Sequence, residues 1–131
     1  MPFVGRNLEQ YAGQVVDNGQ CVRFLQVAAG VPHTSTWRRG VWVKAALDLE
    51  SGTAIATFGG EPPRYENDVS GKSHAAFLVS AQSDGLLVWD QWVGHPVAQR
   101  VIRYRNGPPT NAVNDAEYFY VIEPAEATPT A

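Results

Sequence analysis

The chain has 131 residues, a formal net charge of −3 and 44% hydrophobic residues, which suits one domain with one core. Its ten Lys and Arg are scattered, with Arg38–Arg39 and Arg100, Arg103 and Arg105 as the only local groups, so no basic nucleic-acid face is expected. A single cysteine, Cys21, excludes an internal disulfide framework and a cysteine-rich zinc site.

No apolar run approaches the length of a membrane span. The stretch Met1–Arg6 lacks the basic-then-apolar layout of a signal peptide. The expectation is synthesis in the cytoplasm, with any export depending on something other than a classical signal.

In chain order, residues 7–13 read as a short helix, with Asn7 as its cap, Glu9 in its first turn and Gly13 at its end. Asp17-Asn18-Gly19 reads as a turn. From Gln20, Cys21, Phe24, Leu25, Ala28 and Ala29 fall on one face of a helix, and Gly30 and Pro32 stop it. The spacing predicts a helix over 20–29 with Cys21 in its first turn, facing inward. Residues 31–40 read as a loop, 41–47 as either a short helix or a strand, and 52–59 as a strand bounded by glycines. Pro62-Pro63 makes 59–73 a loop.

Residues 73–81 and 86–93 are apolar runs around Ser83-Asp84-Gly85, a hairpin signal. Further strands are expected at 99–104 and 117–123. The predicted fold is α+β: an antiparallel sheet of about five to six strands, with N-terminal helices packed against it. Residues 1–123 form one domain in this reading, and 124–131 form a flexible tail.

The position of Cys21 carries chemical meaning. Unpaired N–H groups and the helix dipole at a helix N-terminus favour a thiolate. A cysteine nucleophile then needs a base, and the base needs an orienting group. Of His33, His74 and His95, His74 is favoured, because it opens a strand and is held by the sheet backbone. The orienting group is Asp90 or Gln91, and hairpin register decides between them. A three-residue loop pairs 82 with 86, sets Leu78 opposite Asp90 and puts Asp90 on the face of His74. A two-residue Asp84-Gly85 loop pairs 83 with 86 and puts Gln91 there instead. Trp37, Trp89 and Trp92 are candidate groove walls, since aromatic rings bind glycan and peptide faces.

Asn18-Gly19-Gln20-Cys21, then Gly71-Lys72-Ser73-His74-Ala75-Ala76-Phe77, then Trp89-Asp90-Gln91-Trp92 resembles the papain-like cysteine hydrolases of bacterial cell walls. These are the NlpC-like and CHAP groups, and the order Cys, His, polar residue is theirs. Among them the chain is most similar to small amidases delivered by type VI secretion. The resemblance implies cleavage of amide bonds in peptidoglycan stem peptides, with Cys21 as nucleophile and His74 as base. Asp90 or Gln91 would orient His74; the count at which CHAP enzymes carry a carboxylate falls on Gln91, one residue after Asp90. It also implies an immunity protein as partner and action in the periplasm of a target cell. The Cys21 N–H is the expected oxyanion donor, with Tyr11 and Gln14 as candidates for a second. Tyr11, Trp37 and Trp92 are the expected substrate contacts.

Two other readings compete. One is a non-catalytic cell-wall or protein binding module on the same fold. The other is a metal hydrolase using His33, His74, His95 and Asp90; no HExxH or similar spacing supports it, so no metal or other cofactor is expected.

Overall fold

The computed structural model describes residues 2–46, 48–67 and 73–125. Leu47, the Gly71-Lys72 part of the turn before His74, and residues 126–131 of the expected tail lie outside the described residues.

Among the described residues, six strands form one antiparallel sheet: β1 (Arg38–Trp42), β2 (Ala54–Thr57), β3 (Ala75–Gln82), β4 (Gly85–Trp92), β5 (His95–Arg103) and β6 (Phe119–Glu123). Their order across the sheet is β1-β6-β2-β3-β4-β5. One α-helix, α1 (Cys21–Ala29), packs against β3 and β4. The α+β expectation therefore holds. Among the described residues, no helix is long and apolar enough to cross a membrane.

The helix begins and ends where its side chains dictate. Phe24 and Leu25 are fully buried, which contributes about 1.5–3 kcal/mol each. The ring of Phe24 meets Phe77 edge-on at 5.1 Å. Alanines at 54, 56 and 75 belong to the same core layer, and their small size lets the helix approach the sheet. Gly30 ends the helix in the left-handed region at φ 65°, its N–H donating to the Gln26 carbonyl. The opposite sheet face buries Ile55, Leu78, Val88, Phe119 and Val121 in a second cluster.

Several boundaries differ from the sequence reading. The expected helix at 7–13 is a single 3-10 turn, Leu8–Tyr11; Asn7 adopts φ 54° and makes no side-chain cap. The expected loop at 31–40 holds a 3-10 turn, Thr34–Thr36, and the start of β1. The ambiguous 41–47 stretch ends β1 and continues into a 3-10 turn, Val43–Ala45. Strand β5 starts at His95 rather than Gln99, because Val93–Gly94 is a second tight turn, with Gly94 at φ 89°. Pro96 is tolerated because β5 is an edge strand.

Neither expected hairpin register is the observed one. The turn is Ser83–Asp84, with Gln82 opposite Gly85 and Ser80 opposite Leu87. Beyond it, Leu78 faces Val88 and Phe77 faces Trp89, so Val79 is an extra residue in the ladder, a β-bulge. An unbroken ladder from this turn would set Gln91 opposite Ala76, on the pleat of His74. The bulge puts Asp90 there instead.

Gln91 turns to the helix side and is fully buried. Its Oε1 accepts from the Val16 N–H at 2.8 Å, and its Nε2 donates to the carbonyls of Val16 and Gln20, both at 2.9 Å. Gln20 caps α1, so this one amide ties β4 to the start of the cysteine helix. A Gln91→Leu variant leaves buried backbone groups without partners and is predicted to lose about 2–4 kcal/mol of stability. Urea unfolding measures this; a loss under about 0.5 kcal/mol would contradict the role given to Gln91.

Candidate active site

Cys21 is the first residue of α1 and is partly buried. The turn before it is built for that placement. Asp17 and Gly19 take positive φ, at 54° and 84°, and the Gly19 N–H closes the turn on the Val16 carbonyl. The Asn18 side chain then accepts from the Gln20 N–H at 3.0 Å. The first N–H groups of the helix have no intrahelical partner, so the sulfur sits at the positive end of the dipole.

His74 directly precedes β3 and is buried. Thr57 clamps its backbone twice: the His74 N–H donates to the Thr57 hydroxyl, and the His74 carbonyl accepts from the Thr57 N–H, both at 3.0 Å. Its Nε2 lies 2.7 Å from Oδ2 of Asp90. That leaves Nδ1 as the ring nitrogen available to the Cys21 thiol, and the two groups shift each other's pKa. Asp90 is fully buried, and Oδ2 also accepts from Nε of Arg100 at 2.8 Å. Oδ1 of Asp90 has no partner among the described residues.

The electrostatics favour a charged pair. Burial alone pushes the thiol up, but the hydrogen bond and charge of His74 outweigh it, and the Cys21 pKa is lowered from 9.0. The Ala75 N–H and the Tyr65 hydroxyl act in the same direction. For His74, burial disfavours the imidazolium. The Asp90 bond and the cysteine outweigh that, and its pKa is pushed up to about 9. A lowered thiol beside a raised imidazole favours thiolate and imidazolium as the resting pair.

Cys21 and His74 open onto a cavity of about 870 Å³, ample for a peptide. Trp92 lines it, half-exposed, with its ring edge-on to His74 at 6.2 Å. The other expected contacts lie elsewhere. Tyr11 packs edge-on against Phe24 at 5.6 Å and does not line the cavity. Gln14 donates to the Gln10 carbonyl on the surface. Trp37 is buried, its indole N–H bound to the Pro32 carbonyl, and lies in the core rather than on a groove wall. Trp89 packs against the core and lines a separate, smaller cavity. His33 bonds to Ser35, and His95 stacks on Trp92 at 3.9 Å. Among the described residues, no three His, Cys, Asp or Glu are grouped to hold a metal ion.

Two residues at the site escaped the sequence reading. The Tyr65 hydroxyl lies 3.7 Å from the Cys21 sulfur, with its ring tilted onto Trp37 at 4.8 Å. Burial and the neighbouring thiolate raise its pKa, so it stays a donor. The only sequence signal was its place in a long loop, a common seat of function. The other is Arg100, legible only as one of three arginines near β5.

Residues 3–122 match the family described as domesticated amidase effector 2. The chain is 35% identical over 136 residues to the type VI secretion amidase effector 2 protein of Salmonella typhi, an alignment spanning 94% of this chain and 100% of that one. It is 38% identical over 112 residues to domesticated amidase effector 2 of Ixodes scapularis, covering 82% of this chain and 73% of the other. The solved structure of a type 6 secretion amidase effector 2 aligns with a TM-score of 0.83 at 32% identity, over 99% of this chain and 100% of that one. The architecture is thus the papain-like one.

The pKa directions set the pH profile of the thiol. The Cys21 thiol ionises at lower pH than an ordinary thiol, and the imidazolium that stabilises the thiolate is lost as pH rises through about 9. Alkylation of Cys21 by iodoacetamide is predicted to stay fast at pH 7 in the wild type. In His74→Ala it should fall at least about tenfold there and recover only at alkaline pH. Equal rates at pH 7 would contradict the paired resting state.

Proposed function

The chain belongs to the domesticated amidase effector 2 family, and on that ground we propose that it hydrolyses amide bonds in peptidoglycan stem peptides or cross-links, with Cys21 as nucleophile. One observation carries this reading: Cys21 and His74 open onto one cavity, with Asp90 bonded to the far ring nitrogen of His74 at 2.7 Å and His74 lowering the pKa of the thiol.

In this mechanism the Cys21 thiolate attacks the amide carbonyl. The resulting oxyanion is held by the N–H of Cys21 and the hydroxyl of Tyr65, a donor 3.7 Å from the sulfur. As the C–N bond breaks, the His74 imidazolium gives its proton to the leaving amine, and an acyl-thioester remains. Neutral His74 then takes a proton from water, and the hydroxide attacks the thioester. Release of the acid regenerates thiolate and imidazolium. Asp90 holds the ring so that Nδ1 faces the reacting atoms throughout. Trp92 forms a wall for the peptide.

The relatives named as secretion effectors support delivery into another cell. We therefore place the substrate in the wall of a bacterium other than the producer, reached in its periplasm, with an immunity protein protecting the producer.

Purified peptidoglycan tests this reading. The wild type should release cleaved peptides whose masses name the bond, and Cys21→Ala should release none. Asp90→Asn should lower the rate by a factor on the order of a hundred or more. Identical fragment profiles for wild type and Cys21→Ala would favour a binding module and contradict the proposal.

A further inference from the structure

The mechanism above gives Arg100, at the cavity, no task on the substrate. Arg100 donates through Nε to Asp90, and its guanidinium carbon lies 4.9 Å from the centre of the Trp92 ring. A carboxylate on one edge and an indole beside its plane fix the orientation of the fork. Its two terminal amino groups take no hydrogen-bond partner among the described residues. The side chain is 24% exposed and lines the cavity of Cys21 and His74.

The rest of the lining sharpens the point. The other arginine there, Arg23, is engaged by Asp17 and Gln26. No Asp or Glu is among the described residues of the lining, although the chain as a whole is acidic. An oriented guanidinium edge, in a cavity without competing carboxylates, is suited to two parallel bonds to a carboxylate.

We propose that Arg100 binds a free carboxylate of the substrate, at a position within about three residues of the scissile amide. The span follows from the geometry. Bonds of 2.7 and 2.8 Å to the same Asp90 oxygen link the imidazole to the guanidinium, and an extended peptide advances about 3.3–3.6 Å per residue. The inference rests on the amidase reading and deepens it: the enzyme takes acidic peptides and reads their free carboxylate as well as the bond it cuts. Because Arg100 also touches Asp90, docking of that carboxylate occurs one bond away from the base.

Paired muropeptides test this. Each free carboxylate within three residues of the cleaved bond is amidated in turn, and kcat/KM is measured for both members of each pair. For one position, the wild type should prefer the free acid by roughly 10- to 100-fold. Arg100→Gln should slow both members, since Asp90 is held less well, and bring their ratio close to one. Arg100→Lys should keep part of the preference. A merely structural Arg100 would slow both members alike and preserve the ratio, which overturns the inference. Equal wild-type rates for every pair also overturn it, while leaving the amidase reading standing, and they do so even if the variants fail to fold. Failure of the wild type to cleave any member overturns both.

Discussion

The 2.7 Å bond between His74 and Asp90 is the contact on which the site depends. It commits Nε2 of the ring, and that commitment leaves Nδ1 for the thiol. It also supplies the negative charge that makes a buried imidazolium tolerable. Without Asp90, burial would drive His74 towards its neutral form, and the thiol would lose the charge that lowers its pKa. Arg100 donates to the same oxygen. Thiolate, imidazolium, carboxylate and guanidinium alternate in sign, so each ion of the line has a neighbour of opposite charge.

That bond exists because of a bulge. The Ser83–Asp84 turn alone would bring Gln91 onto the pleat of His74, and the extra residue at Val79 exchanges it for Asp90. Gln91 gains its own role on the other pleat, holding the connector that presents Cys21. The two adjacent residues thus divide the labour. One orients the histidine, and the other positions the helix that carries the sulfur. A one-residue change of register would undo both at once.

Much of this was legible in the sequence. The apolar spacing of Cys21, Phe24, Leu25, Ala28 and Ala29, closed by Gly30, marked a helix that the structure bounds within one residue. The hairpin and the place of His74 just before its first strand were readable from apolar runs and turn residues. The bulge was not, because Val79 sits in an unremarkable apolar run and nothing local marks it as unpaired. Strand β1 escaped because it lies exposed at the sheet edge without alternation. Trp37 and Trp92 looked equivalent as residue types; only packing sends the first into the core and leaves the second at the cavity. Tyr65 reaches the sulfur from a loop 44 residues away in sequence, a contact that no periodicity encodes.

The account stands on a resting thiolate–imidazolium pair, and nitrogen NMR of the His74 ring reads that state directly. With labelled histidine, the wild type should show both ring nitrogens protonated at pH 7.5, losing the proton only near pH 9. In Cys21→Ala the transition should move to lower pH, because one of the two partners that raise it is gone. A neutral His74 ring at pH 7.5 in the wild type, or a transition unmoved by removal of Cys21, would contradict the account.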